Sequence, residues 1–191
     1  MANSTKGFHF VDLPIDSLKD LYTHDRGESV VAVGAYCLMP NHFHLLLREI
    51  TEGGITAFMQ RLGTAYTMYF NKKYERTGGL FTKPFRSKHV ADDRYLQHLH
   101  SYIHCNSAEI FDRGWKHGKA RNLVLLERKM REYTYSSLPD SLKIDRIQGA
   151  ILDHREISVF QTRSFRALLA EADEYYKLYA PEATPRGIKT K

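Results

Sequence analysis

Residues 36–47 read Tyr-Cys-Leu-Met-Pro-Asn-His-Phe-His-Leu-Leu-Leu, and this stretch decides the fold of the chain. The apolar run 29–38 predicts a buried strand, and residues 42–49 predict a second strand directly after it. Pro40 and Asn41 stand between the two runs, where turn-forming residues are expected. The sequence therefore predicts a β-hairpin whose second strand opens on two histidines.

Three further elements are predicted around this hairpin. Residues 7–12 predict a short strand, and Asp16 is a candidate N-cap for a helix that follows it. After the hairpin, Gly53-Gly54 precedes a stretch in which apolar residues recur at spacings of three and four. This spacing predicts an amphipathic helix that ends near Asn71.

A strand and a helix complete the predicted core. Residues 84–90 predict an edge strand, where Pro84 is tolerated because it is the first residue. Asp92 or Asp93 caps a helix that ends around Asn106. The order strand, helix, strand, strand, helix, strand, helix predicts an α+β fold with a ferredoxin-like split βαβ core and an antiparallel sheet.

The remainder of the chain predicts a peripheral helical part. Residues 1–113 hold the predicted core, and residues 114–180 form a helical C-terminal extension. Its helices are predicted at residues 119–133, 144–154 and 162–179. Residues 181–191 contain two prolines and a basic end, which predicts a disordered tail.

Composition excludes several classes of protein. The chain has 191 residues, of which 42% are hydrophobic and 26% charged, and no apolar run approaches the ~20 residues of a membrane helix. The first residues lack the apolar segment of a secretory signal, and Cys37 and Cys105 are too few for a disulfide framework. We therefore expect a cytoplasmic protein without membrane association.

A basic segment rich in aromatic residues predicts a polyanionic partner. The formal net charge is +6, and six cations fall close together between positions 72 and 88. They are Lys72, Lys73, Arg76, Lys83, Arg86 and Lys88, and the rings of Tyr74, Phe81 and Phe85 lie among them. Phosphates attract such cations and unstacked bases stack on such rings, so the segment favours single-stranded nucleic acid. A solvated basic loop is the alternative.

The two histidines of the hairpin are candidate metal ligands. Residues two apart in a strand point to the same face, so His42 and His44 lie on one side and Phe43 on the other. Two imidazoles form half of a metal site. The alternative is a surface strand with two solvated histidines.

The last core helix carries three polar residues on one stripe. His98, Tyr102 and Asn106 are spaced by four and therefore lie along one side of the helix. An amide oxygen of Asn106 with the imidazoles of His42 and His44 suits Mg²⁺ or Mn²⁺ and leaves room for a phosphate oxygen. Tyr102 is then the candidate nucleophile, which His98 could orient or deprotonate. A tyrosine packed in the core is the alternative.

Residues 36–47 resemble the HUH motif of IS200-like single-tyrosine transposases. Further blocks resemble the REP-associated tyrosine transposase branch in order and spacing, and they comprise residues 79–90, 93–96, 102–107 and 133–137. The resemblance covers roughly residues 30–138 and implies the HUH endonuclease fold for the core, residues 1–113.

The resemblance also implies a reaction and its residues. His42 and His44 match the metal ligands, Asn106 matches the residue that completes the Mg²⁺ or Mn²⁺ shell, and Tyr102 matches the nucleophile. The expected enzyme is a transposase that cleaves single-stranded or hairpin DNA, forms a 5′-phosphotyrosine link and rejoins strands. The REP-associated likeness favours a monomer over a homodimer.

Two alternatives belong to other classes. A catalytically silent ferredoxin-like protein would bind nucleic acid through the basic segment and form no covalent adduct. A zinc-dependent hydrolase would use His42 and His44 with a bound water, and a separate zinc site could be built from Cys37, His104 and Cys105.

Overall fold

A computed structural model describes residues 2–4, 22, 27–153, 155–156, 160 and 163–179. Two short 3-10 helices occupy Arg113–Gly118 and Ile147–Ile151. The other elements are β1 Val31–Leu38, β2 Phe43–Glu49, α1 Gly54–Lys73, α2 Asp93–Cys105, α3 Ala108–Phe111, α4 Leu123–Arg131, α5 Leu138–Ser141 and α6 Phe165–Tyr179. The predicted strand 7–12, the helix expected after Asp16 and the tail 181–191 lie outside these residues, except for helical Tyr22.

β1 and β2 form the predicted antiparallel hairpin. Cys37 pairs with His44 and Leu38 with Phe43, and the turn is closed by the Met39 amide donating to the His42 carbonyl at 2.8 Å. β1 is buried over almost its whole length. An antiparallel sheet with helices packed against it confirms the predicted α+β class.

The predicted edge strand at residues 84–90 is wrong, because this segment has irregular backbone. Pro84 has no amide hydrogen to donate to a neighbouring strand. The segment is largely exposed, and its cations remain in contact with water. In the part of the chain that the structure describes, the sheet consists of β1 and β2.

α1 begins where two glycines are required. Gly53 has a left-handed backbone with φ of 73°, which glycine adopts without strain. A Cβ on Gly54 would clash with the Val30 carbonyl oxygen, which lies within 2.3 Å of its position. The helix therefore starts directly against β1, and it continues to Lys73, two residues past the predicted end.

α2 matches its prediction and is held between the sheet and α6. Asp92 caps it, since its carboxylate accepts a hydrogen bond from the Tyr95 amide at 2.7 Å. α6 packs along α2 and contributes Phe165, Leu168 and Ala172 to a buried cluster that also contains Met130. A second cluster joins β1 to α1 through apolar side chains such as Val31 and Phe58.

The helices after α2 are shorter than predicted. The predicted helix 144–154 is wrong, because the described residues 144–153 contain only the 3-10 helix Ile147–Ile151. Gly149 weakens helical structure, and the Asp153 amide donates to the Val33 carbonyl at 2.9 Å, so the chain leaves the helix to meet β1. None of the helices in the described ranges has the length and apolar character needed to cross a bilayer.

Candidate functional site

The hairpin brings the two predicted metal-ligating histidines together. The ring centroids of His42 and His44 lie 4.9 Å apart, with the rings almost perpendicular. Nδ1 of His42 lies 2.7 Å from Oδ1 of Asn41. A carboxamide oxygen only accepts hydrogen bonds, so Nδ1 carries the proton and Nε2 of neutral His42 keeps its lone pair.

His44 has an unsatisfied nitrogen at the same place. Its Nε2 is buried without a hydrogen-bond partner in the described residues. Burial lowers the pKa of His44 to about 4, with smaller effects from the charges of His42 and Lys116. Burial also lowers the pKa of His42. Both imidazoles are therefore neutral near pH 7, and an unpartnered ring nitrogen beside a second imidazole fits a divalent cation.

Tyr102 lies directly beside these histidines. Its ring meets the ring of His44 at a centroid distance of 5.3 Å. On its other side it stacks on Tyr175 at 4.3 Å and meets the edge of Tyr176 at 5.0 Å. Burial raises the pKa of the Tyr102 phenol, while hydrogen bonds with Asn106 and Tyr176 oppose that rise. The candidate nucleophile is thus a neutral phenol held among aromatic rings.

Asn106 is buried next to Tyr102 with its amide already engaged. Its Nδ2 donates to the Tyr102 carbonyl at 3.0 Å, and its Oδ1 accepts a 3.4 Å hydrogen bond from the Tyr176 hydroxyl. The second bond is long and therefore weak. Oδ1 of Asn106, the third metal ligand expected from the sequence, lies one helical turn from Tyr102. It can give up its hydrogen bond with Tyr176 to bind another partner.

No three His, Cys, Asp or Glu side chains in the described ranges lie close enough together to hold a metal ion. A shell around His42 and His44 therefore needs an amide oxygen or a substrate phosphate. The imagined zinc site from Cys37, His104 and Cys105 is not assembled. Nε2 of His104 is instead hydrogen-bonded to Nε2 of His100 at 2.9 Å, and both cysteines are free and buried.

His98 faces a different neighbour from the one that the sequence suggested. Its Nε2 lies 3.4 Å from a carboxylate oxygen of Glu174 on α6, and its ring lies near that of Tyr179. Among the described contacts His98 makes none with the Tyr102 hydroxyl. This histidine therefore joins α2 to α6.

A groove of about 920 Å³ connects the candidate site to half of the basic segment. His42, His44 and Tyr102 line it, together with three of the predicted DNA-binding cations, Lys83, Arg86 and Lys88. The other three cations, Lys72, Lys73 and Arg76, follow at the C-terminal end of α1. A phosphate next to the candidate nucleophile would therefore lie in a positively charged channel.

Sequence reasoning missed four residues near the candidate site. Tyr175 and Tyr176 come from α6, and Glu109 and Lys116 form an ion pair at 3.0 Å. The Lys116 ammonium also lies 4.2 Å from the centre of the Tyr176 ring. The adjacent tyrosines on a predicted helix were the available signal. Nothing local in the sequence relates the ion pair to the site.

Two imidazoles, a phenol and a basic groove lie together at one place in the structure. Residues 15–106 match the family described as "Transposase IS200 like". This match spans slightly less than half of the chain, and over these residues the protein is similar to the IS200-like transposases. The matched region includes all four candidate site residues and ends before α3. Comparison with curated proteins and with solved structures found no match.

Proposed function

We propose that this protein is a metal-dependent single-stranded DNA endonuclease and strand transferase of the REP-associated branch, with Tyr102 as its nucleophile. The observation that carries the proposal is the contact between the rings of Tyr102 and His44 in the wall of the basic groove. These residues are far apart in the sequence, and packing of α2 on the hairpin joins them. We infer a hairpin or repeat-associated substrate from the resemblance of residues 79–137 to that branch.

The reaction exchanges one phosphoester bond for another. Oη of Tyr102 attacks the phosphorus and loses its proton to solvent in the groove, and the bond between phosphorus and the 3′-oxygen breaks. The electron pair of that bond leaves with the 3′-oxygen, which takes up a proton to become a free hydroxyl. The 5′-phosphate remains on Tyr102. Attack by a 3′-hydroxyl on this link reverses the step, so no ATP is consumed.

The chain supplies the groups that this reaction needs. Asn106 and Tyr176 beside the phenol oppose the rise in the pKa of Tyr102 that burial causes, and so favour its phenolate form during attack. Nε2 of His42, Nε2 of His44 and Oδ1 of Asn106 would hold Mg²⁺ or Mn²⁺, which polarises the phosphate when bound. The cations that line the groove hold the neighbouring phosphates and so orient the strand.

Covalent trapping tests the proposal. Labelled single-stranded DNAs with repeat hairpins are incubated with the protein and Mg²⁺ or Mn²⁺ and resolved on a denaturing gel. We expect a slowly migrating adduct with the wild type and none with Tyr102→Phe or His44→Ala. Tyr135→Phe and His89→Ala are matched controls, because both side chains are exposed and lie outside the groove lining.

The same gel separates the alternatives. An adduct that persists in Tyr102→Phe would refute the assigned nucleophile. If the wild type binds a range of hairpin DNAs and forms no adduct, the protein is the catalytically silent binder instead. Cleavage that requires zinc and leaves no protein on the DNA would favour a hydrolase built on His42 and His44.

A further inference from the structure

A continuous line of aromatic rings runs from the strand that carries the two histidines to the end of α1. We call it the aromatic track, and its members are Phe43, Phe81, Tyr66, Tyr69, Phe70 and Tyr74. Phe43 meets Phe81 at a centroid distance of 6.2 Å, and Phe81 meets Tyr66 at 6.3 Å. Tyr66 lies 6.4 Å from Tyr69. Phe43 lies on the same strand as His44 and lines the groove that also contains Tyr102, so the track starts in the wall of that groove.

The second half of the track follows one stripe of α1. Tyr66 lies 6.2 Å from Phe70, and Phe70 lies 4.5 Å from Tyr74. Residues three, four and eight positions apart share a side of a helix, so these rings form a row about 12 Å long at ~1.5 Å per residue. At ~3.4 Å per stacked nucleotide, the row has room for about three or four bases.

Four of the six rings of the track are open to solvent, and Phe43 and Phe70 are partly buried. Tyr66, Tyr69, Tyr74 and Phe81 are between 47% and 57% exposed. A cluster of large aromatic side chains on a protein surface commonly marks a binding site, because exposing so much apolar surface to water is unfavourable. Phe81 also lines the groove that contains Tyr102. The exposed rings therefore extend the candidate site outward.

The charges along the track select a polyanion. α1 contains no acidic residue. The Lys73 ammonium lies 5.7 Å from the centre of the Tyr69 ring and 5.5 Å from that of Tyr74, and the Arg76 guanidinium lies 5.6 Å from Phe70. A second copy of the chain would bring the same cations against each other, which opposes a symmetric dimer through this face. Phosphates between exposed bases would be attracted instead.

We propose that the aromatic track binds the bases of single-stranded DNA next to the cleaved phosphodiester. Each exposed ring offers a face on which an unpaired base stacks, while the cations beside the rings contact the backbone. Bases in a duplex are already stacked and paired, so the track selects single strands. That the DNA strand runs from the track to Tyr102 rests on the proposed function. The binding of single-stranded DNA by the track does not depend on it.

Equilibrium binding to fluorescein-labelled oligothymidylate tests this proposal, with self-complementary duplex DNA as the second probe. We expect the double variant Tyr66→Ala/Tyr69→Ala to raise Kd for the single strand by about 5- to 100-fold and Kd for the duplex much less. The double variant Tyr66→Phe/Tyr69→Phe keeps both rings and should bind within about twofold of wild type. Tyr135→Ala is the matched control, since Tyr135 is equally exposed and lies outside the track.

Several results would overturn the proposal. They are unchanged single-strand binding in the alanine double variant, an equal loss in the phenylalanine and alanine variants, or an equal loss for duplex DNA. Analytical sedimentation of the wild type and the alanine variant completes the test. If the wild type is a dimer and the alanine variant is a monomer, the track is a subunit interface and the proposal is overturned. Binding of oligothymidylate requires no cleavage. The binding result can therefore be interpreted even if the trapping experiment gives no covalent adduct.

Discussion

Tyr175 joins the stability of the fold to the position of the candidate nucleophile. Its ring is 8% exposed and stacks on Tyr102 at 4.3 Å, and its hydroxyl lies 3.3 Å from that of Tyr95. α6, which carries Tyr175, lies outside the region that matches the transposase family. Replacing this side chain therefore tests whether α6 is part of the functional site or only covers the core.

Two substitutions of Tyr175 should lower the free energy of unfolding by different amounts. Tyr175→Ala removes a buried ring, and such truncations lower the free energy of unfolding by about 3–5 kcal/mol. Tyr175→Phe keeps the ring and removes one long hydrogen bond, which costs about 0.5–1 kcal/mol. Domains of this size are commonly stable by ~5–15 kcal/mol, so Tyr175→Phe should remain folded, and Tyr175→Ala should remain folded if the wild-type stability exceeds about 5 kcal/mol.

Urea unfolding followed by circular dichroism measures the stability of each variant, and single-turnover adduct formation measures the position of Tyr102. We expect the adduct rate of Tyr175→Ala to fall by about 100-fold, since a small displacement of a reacting group is enough for such a loss. Tyr175→Phe should react within about threefold of wild type, because the stacked ring remains. An unchanged rate in folded Tyr175→Ala would refute the reasoning, as would an equal loss in both variants.

The buried pair of His100 and His104 should make the protein sensitive to acid. Burial lowers the pKa of His100 to about 3 and that of His104 well below its ordinary value, so the folded state keeps both neutral. Their effect on stability is fully favourable above pH 6.5, and the urea midpoint should fall as the pH drops from 6.5 towards 3; the fall should be smaller in a His100→Gln variant, which keeps only His104. Lys83→Ala and Arg86→Ala should each reduce the slope of log Kd for single-stranded DNA against log salt by about 1, because each removes one phosphate contact; an unchanged slope would place that cation outside the interface.

Local patterns in the sequence correctly predicted the elements whose structure depends on interactions between neighbouring residues. The apolar run before Pro40 and Asn41 predicted the hairpin, and alternation along β2 predicted that His42 and His44 lie together. The Asp92 cap and the spacing of four predicted α2, with Tyr102 one turn before Asn106. These features depend on turn residues, caps and side-chain periodicity, which are all written within a few neighbouring positions.

Tertiary structure alone decided what surrounds the nucleophile. The stacking of Tyr175 on Tyr102, the contact of His98 with Glu174 and the contact of Phe81 with Phe43 join segments that are distant in the sequence. No periodicity encodes such contacts, because they follow from the packing of whole elements against one another. Irregular backbone at residues 84–90 has the same cause, since a strand forms only where a neighbouring strand is placed to pair with it.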